Sequence, residues 1–218
     1  MKKAFTMIEL VFVIVIVGII SAMIAPNFQG NSLREAADQL ISHIRYTQHL
    51  AMMDDKYDPN DTNWFLGRWQ IYFANNGGSD NKWSYTIYSD WKGGHTGNPD
   101  AGEIAVNPLN HNQYLTGGTS GTNIVHYGDK EAMKELNLGH KYGVSNIQFS
   151  GGCRSTVHYI NFDSLGRPSN SFPSNFSFEL ASSGWHKLLT SACIITLSDN
   201  TSVIKIAVEP ETGYAHIL

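Results

Sequence analysis

Twenty-one consecutive residues decide how this chain is organised: Phe5-Thr-Met-Ile-Glu-Leu-Val-Phe-Val-Ile-Val-Ile-Val-Gly-Ile-Ile-Ser-Ala-Met-Ile-Ala25. They hold one charged side chain, Glu9, and two other polar ones, Thr6 and Ser21. As an α-helix rising ~1.5 Å per residue, the stretch would be roughly 32 Å long, close to the ~30 Å hydrocarbon core of a bilayer. A globular helix is rarely apolar on every face, so the pattern predicts a membrane-embedded helix. A secretory signal peptide fits less well, because no small-x-small cleavage site follows before Pro26.

Glu9 is the unusual residue of this stretch. A carboxylate inside a bilayer costs several kcal/mol and is commonly functional, with a partner that offsets its charge. An accidental position at the membrane edge is the alternative. Because Lys2 and Lys3 precede the stretch, the positive-inside rule predicts a cytoplasmic N-terminus, with the chain after Pro26 outside.

The residues around Glu9 carry a specific motif, Lys2-Lys-Ala-Phe-Thr-Met-Ile-Glu9. It resembles the class III signal of type IV pilins and type II secretion pseudopilins, with Ala4 where most members have Gly. The resemblance implies that a prepilin peptidase cuts between Ala4 and Phe5 and methylates the new amine. It also implies that Glu9 of an incoming subunit pairs with the Phe5 amine of its neighbour during filament assembly. Such pairing would relieve two desolvated charges together.

The residues after the apolar stretch predict a second helical half. Between Asn31 and Met53, apolar and small side chains recur at steps of three and four, as on one face of an amphipathic helix. They are Leu33, Ala37, Leu40, Ile41, Ile44, Thr47, Leu50 and Ala51. We expect both halves to form one long helix of roughly 70 Å. A kink is expected at Gly18 and Pro26, because Gly weakens a helix and Pro removes a backbone donor.

The rest of the chain has the patterns of β-strands. Aromatic and branched residues fill 68–73 and 83–89 on either side of a Gly- and Asn-rich turn, which predicts a β-hairpin. Further strands are predicted at 144–149, 157–162, 176–180, 192–197, 203–208 and 213–218, and a short helix at 129–138. A helix followed by a run of antiparallel strands predicts an α+β fold.

Four more segments resemble one subgroup of this family. Leu33–Tyr46 is similar to the helix that opens GspH/FimT-type minor pilins, and Phe162-Asp-Ser-Leu-Gly-Arg-Pro168 to their recurrent turn. Ile195–Leu197 and Gly213-Tyr214 are similar to their C-terminal strands. The implied architecture is the pilin fold, with a long N-terminal helix packed on antiparallel sheet. From its residues alone the turn needs no ligand, since its Asp can cap the bend and its Gly can adopt a positive φ.

The expected divisions follow from these segments. Residues 1–4 are the leader peptide, 5–25 the transmembrane and filament-core helix, 26–55 the amphipathic half, and 56–218 an extracytoplasmic β-rich domain. Both cysteines, Cys153 and Cys193, lie in this last part, where disulfides persist, so we expect a bridge. Two unrelated buried thiols are the alternative.

Composition and motifs exclude several functions. The formal charge is −4 and becomes more negative when Lys2 and Lys3 are lost, so we expect no general attraction for nucleic acid. Nine scattered histidines, no phosphate loop and no nucleophile elbow predict no enzyme, no metal site and no cofactor. Calcium stays open near Asp90, Asp100 and Glu103, although no complete calcium loop is present. A recognition patch is the alternative to core packing for Trp64, Trp69, Trp83 and Trp91.

The resemblance therefore implies a minor pseudopilin, a structural subunit of a type II secretion pseudopilus. It implies a single-pass protein of the bacterial inner membrane with a periplasmic C-terminal domain. Its implied partners are other pilin or pseudopilin subunits, the prepilin peptidase and the inner-membrane assembly platform. The alternative is a minor pilin of a type IV pilus or DNA-uptake system that binds DNA or a surface. DNA-binding members carry basic residues near the C-terminus, whereas Glu209–Leu218 has two acidic residues and no Lys or Arg, which favours the structural role.

Overall fold

The structure is a computed structural model that describes residues 6–24, 32–61, 64–91, 97–100, 102–121, 124–170 and 188–218. The chain divides into two compact units, Met1–Ser32 and Leu33–Leu218. The first unit contains helix α1 (Met7–Ile24). The second contains helix α2 (Ser32–Met53) beyond its first residue, together with all the strands.

The predicted single long helix is wrong. The structure has α1 and α2 as two separate helices, and residues 25–31 between them lie outside the described residues. Pro26, with the kink predicted there, is among these residues. The intervening sequence contains Pro26 and Gly30, both of which disfavour helix. The prediction of one rod gave more weight to the apolar pattern than to these two residues.

The predicted membrane-spanning helix over 5–25 is also wrong. No helix in the described ranges combines the length and the apolar character that crossing a membrane requires. Within the described residues α1 has 18 residues, fewer than the 21 residues on which the prediction rested.

Helix α2 forms where its pattern predicts. Its buried side chains recur every three or four residues and are Leu33, Ala36, Ala37, Leu40, Ile41, Ile44, Thr47 and Ala51. Ala36 is the one addition to the predicted stripe, and Leu50 is partly buried against the core. The buried Thr47 hydroxyl donates to the His43 carbonyl at 2.7 Å, so it does not enter the core unsatisfied.

In the described part of the chain, eight strands form two four-stranded antiparallel sheets. The first has the order β2 (Trp83–Ser89), β1 (Trp69–Asn75), β4 (Tyr159–Phe162) and β5 (Pro168–Ser169). The second has the order β3 (Asn146–Gly151), β6 (Cys193–Ser198), β7 (Val203–Val208) and β8 (Ala215–Ile217). Strands β1 and β2 pair along their full length, which confirms the predicted hairpin. The α+β class is likewise confirmed, whereas the predicted pilin fold with its long N-terminal helix is wrong.

The short helix predicted at 129–138 is wrong. A 3-10 helix occupies Lys134–Leu136, and α3 spans Leu138–Tyr142. Asn137 is the reason, because its side chain accepts from the His140 N–H at 3.0 Å and so caps the start of α3. Gly143, with φ of 74°, ends α3. The strand predicted at 176–180 lies outside the described residues.

One main hydrophobic core joins α2 to both sheets. Its fully buried members include Leu40 and Ile44 from α2, Ile71 and Ile160 from the first sheet, and Ile195 and Ile206 from the second. α2 is therefore the helix against which the second unit is built. Its C-terminal end meets β1 and the turn between β4 and β5.

Candidate functional site

Glu9 closes a capping box at the start of α1. Its Oε2 accepts hydrogen bonds from the Thr6 N–H and from the Thr6 hydroxyl, both at 2.8 Å. The Glu9 N–H lies 3.4 Å from the same hydroxyl, so Thr6 and Glu9 cap each other as the N-cap and N3 residues of a helix. The spacing Thr6-x-x-Glu9 is readable in the sequence. The prediction overlooked it because it assigned Glu9 a partner in another subunit.

The capping role leaves Glu9 able to take a second partner. Only Oε2 of the carboxylate is used by Thr6, and Oε1 accepts no hydrogen bond within the part of the chain that the structure describes. A carboxylate has about four acceptor positions, so a cation from elsewhere can still bind it. The cap holds the carboxylate at the first turn of α1.

The surface of α1 is apolar on every face. Its large apolar side chains are between 48% (Val13) and 85% (Met7) exposed. They are Met7, Ile8, Leu10, Val11, Phe12, Val13, Ile14, Val15, Ile16, Val17, Ile19 and Ile20. Contiguous apolar surface of this size marks a site of association with protein or lipid.

The other predicted residues of the N-terminal segment are only partly described. Ala4 and Phe5, the predicted cleavage and methylation residues, lie outside the described residues, as does Pro26. Gly18 lies within α1, and apart from its chain neighbours and the nearby helix backbone, no described atom comes within 4 Å of the position that a side-chain Cβ would take there. The kink at Gly18 stays a prediction.

The predicted disulfide between Cys153 and Cys193 is confirmed. Cys193 opens β6 opposite Gly151, the last residue of β3, and Cys153 follows two residues later. The bridge thus closes the end of the β3–β6 ladder. Both cysteines are buried.

The turn at 163–168 has the geometry that its residues predict. Asp163 Oδ1 accepts from the backbone N–H groups of Leu165 at 3.0 Å and Arg167 at 2.8 Å. Asp163 Oδ2 accepts from Arg167 Nε at 2.7 Å. Gly166 has a φ of 78°, where a side chain would be strained and would meet Met52 and Gln48. The turn is thereby fixed against the C-terminal end of α2, where Gln48 Nε2 donates to the Gly166 carbonyl at 2.8 Å.

The carboxylates considered for calcium bind backbone groups. Asp90 Oδ2 accepts from the Gly97 N–H at 2.6 Å, and Glu103 Oε2 accepts from the Asp100 N–H at 2.8 Å. Within the described ranges, no group of three or more His, Cys, Asp or Glu side chains is placed to hold a metal ion. The calcium alternative gains no support from this geometry.

Of the four tryptophans considered for a recognition patch, three come together beyond the end of α2. Trp64 and Trp69 line one cavity. Lys56 Nζ lies 5.5 Å from the ring centre of Trp69 and 5.9 Å from that of Trp91. Trp83 lies elsewhere, with its edge against the ring of His158.

Arg68 lines the same cavity as Trp64 and Trp69. Arg68 could not be identified as a functional residue from the sequence, because a single Arg before a strand belongs to no motif.

The C-terminal segment brings both signs of charge together. His216 Nε2 lies 3.0 Å from Glu209 Oε1, and this hydrogen bond raises the pKa of His216. The Arg45 guanidinium stacks 5.5 Å from the Tyr214 ring centre and donates from Nη2 to the Ala215 carbonyl at 2.9 Å. This surface therefore carries acidic as well as basic side chains and is not uniformly basic.

Comparison of the chain with protein-family models, with curated proteins and with solved structures finds no match.

Proposed function

We propose that this chain is a minor pseudopilin, a structural subunit that joins the pseudopilus of a type II secretion system. A prepilin peptidase first cuts between Ala4 and Phe5 and methylates Phe5. The observation that carries the proposal is α1, an all-round apolar helix with exposed side chains and a single carboxylate, Glu9, in its first turn. Such a surface requires an apolar environment, and the equivalent helices of other subunits provide one.

Glu9 gives this association its axial register. A helix that is apolar on all faces can slide along its neighbours at little cost, because every position buries similar surface. A carboxylate among apolar side chains is costly unless a cation meets it. The methylated Phe5 amine of a neighbouring subunit is that cation, and Oε1 of Glu9 accepts no hydrogen bond from the described residues that would compete with it.

The second unit works outside the cytoplasm in this proposal. The Cys153–Cys193 bridge supports this location, because disulfides persist in oxidising compartments and are rare in the cytoplasm. Before assembly, the protein is located at the bacterial inner membrane. The partners are other pseudopilin subunits, the prepilin peptidase and the inner-membrane assembly platform.

A DNA-binding minor pilin is the alternative. It would require a basic face, since phosphate neutralisation dominates affinity for DNA. The shallow surface beside β8 instead combines Arg34 and Arg45 with Asp38, and Glu209 pairs with His216 nearby. Mixed charge favours the structural role. Neighbouring genes for secretion components or for pilus components would separate the two systems.

Glu9→Gln is the substitution that tests the proposal. Gln at this position still closes a capping box with Thr6, so only the charge is removed. We expect mass spectrometry to find methylated Phe5 as the N-terminus of the variant. We expect cysteine crosslinks to partner subunits to fall at least tenfold, because the Phe5 amine is left without its carboxylate.

Thr6→Val is the matched control, because it removes the capping hydroxyl and keeps the Glu9 charge. It should retain crosslinks near the wild-type level once its processing has been verified by the same mass spectrum. Wild-type crosslinking in Glu9→Gln would contradict the charge pairing. An intact Met1, or a cut near Ala25, would contradict membership of a pseudopilus altogether.

A further inference from the structure

A cavity of about 170 Å³ lies at the C-terminal end of α2. Three parts of the chain form its wall. They are residues 51–56 at and after the last turn of α2, residues 64–69 at the start of β1, and the turn at 162–167. The hydrogen bonds of Asp163 and Gln48 fix this turn, so the wall is built on anchored elements.

Arg68 is the unusual side chain of this cavity. The two other cations are paired, Lys56 Nζ with Asp54 Oδ2 at 2.5 Å and Arg167 Nη2 with Asp163 Oδ2 at 2.7 Å. Arg68 forms no hydrogen bond and no ion pair with any residue that the structure describes. It is largely buried, and burial lowers the pKa of its guanidinium, with Asp163 and Asp55 only partly opposing this effect.

A desolvated guanidinium without a partner costs the folded protein free energy. Five N–H donors in a planar fork suit a carboxylate, which can accept two of them at once. The position of Arg68 is therefore costly in the free protein and favourable when an anion enters the cavity. Such an arrangement is typical of binding sites, where stability is given up for function.

Exposed apolar side chains occur in the lining of the cavity and next to it. Leu165 lines the opening with 70% of its surface exposed. Tyr57 is 62% exposed and packs edge-on against Trp64, with ring centres 5.3 Å apart. Aromatic side chains around an Arg are the composition of the energetically dominant part of protein–protein interfaces.

The volume of the cavity favours a single protein side chain over a small molecule or cofactor as its occupant. Small-molecule and cofactor sites commonly measure about 300–1,000 Å³, and this cavity is smaller. It has room for one side chain. We propose that the cavity is a docking pocket for a Glu or Asp side chain flanked by apolar residues on a protein partner, with Arg68 as the group that binds the carboxylate. This inference goes beyond the subunit role and is independent of α1.

The test uses the full-length protein in detergent micelles and two peptides, acetyl-Leu-Glu-Leu-amide and acetyl-Leu-Gln-Leu-amide. Trp64 and Trp69 report binding through their fluorescence. We expect saturable binding of the Glu peptide, at least tenfold tighter than that of the Gln peptide. Arg68→Gln should weaken Glu-peptide binding at least tenfold, whereas Arg34→Gln, at the other end of α2, should leave it unchanged. Equal binding of both peptides, or no binding of either, would overturn the proposal. Glutarate binding as tightly as the Glu peptide would overturn the choice of a protein partner.

A second variant separates docking from a structural role. Arg68→Met keeps an unbranched side chain that reaches about as far as Nε of Arg, and it removes the guanidinium charge. We expect it to lose Glu-peptide binding while the thermal midpoint of the free protein stays the same or rises. A midpoint lowered by several degrees would show that Arg68 supports the fold, and the docking assignment would be wrong.

Discussion

At the scale of single residues, burial sets the charge of His43. Its Nδ1 lies 2.6 Å from the Tyr85 hydroxyl oxygen, and Gln39 Nε2 donates to the same oxygen at 2.9 Å. Burial lowers the pKa of His43 to about 4, whereas burial raises the pKa of Tyr85. Both side chains are thus neutral near pH 7, and the contact between α2 and β2 contains hydrogen bonds without charges.

The pKa of His43 predicts acid sensitivity. The folded pKa lies below the unfolded value near 6.5, so the unfolded chain binds more protons between these values. The stability contribution is full above the unfolded pKa and is lost as the pH falls from about 6.5 towards 4. We expect a loss of up to about 3 kcal/mol, measured by urea unfolding at several pH values. In His43→Gln, which can still hydrogen-bond Tyr85, this part of the pH dependence should disappear. Identical pH profiles for both proteins would contradict the assignment.

At the scale of elements, a disulfide joins two paired strands of the second sheet, in addition to the backbone hydrogen bonds between them. β3 and β6 pair from Asn146 opposite Ser198 to Gly151 opposite Cys193. The chain between them contains the β4–β5 hairpin of the other sheet. The Cys153–Cys193 bridge therefore restrains two strands that are neighbours in space and distant in sequence.

Replacing both cysteines by Ser should destabilise the protein markedly. The bridge closes a separation of 40 residues, for which chain-entropy arithmetic gives about 4 kcal/mol. Urea unfolding of the double variant beside the oxidised wild type measures the difference. Non-reducing peptide mapping checks the bridge itself. Recovery of both cysteines as free thiols from protein isolated outside the cytoplasm would contradict it.

At the scale of the whole molecule, the core belongs entirely to the second unit. Every buried apolar residue of the described chain lies between Leu33 and Ala215. α1 has only exposed apolar side chains among those described. The buried apolar side chains of the described residues thus all belong to the second unit.

A protein that begins at Ser32 should fold by itself. We expect cooperative thermal unfolding and a circular dichroism spectrum of mixed helix and strand, without detergent, because the exposed apolar helix has been removed. A protein that begins at Asp54 is the control. It lacks the eight buried side chains of α2 and should not unfold cooperatively. Failure of the longer protein to fold would mean that the first unit contributes to the core after all.

Local sequence patterns determined many of the helices and strands of this protein. The stripe of α2, the β1–β2 hairpin and the bounds of β7 at Val203–Val208 follow from periodicity, because each depends on residues a few positions apart. The capping box at Thr6 and Glu9 is equally local and could have been found from its spacing. The processing motif and the role of Glu9 as a docking residue also come from the sequence, and they stay predictions.

Tertiary structure alone decided the rest. Whether two helical patterns join into one rod depends on the free energy of the segment between them, which the patterns do not contain. The lack of a hydrogen bond or ion pair to Arg68 among the described residues depends still more clearly on tertiary structure. Its neighbours Asp54 and Asp163 are each engaged by another cation, and only folding brings these pairs to one cavity. A side chain's partners are set by distances in space, and those distances arise from packing of α2 against both sheets rather than from spacing along the chain.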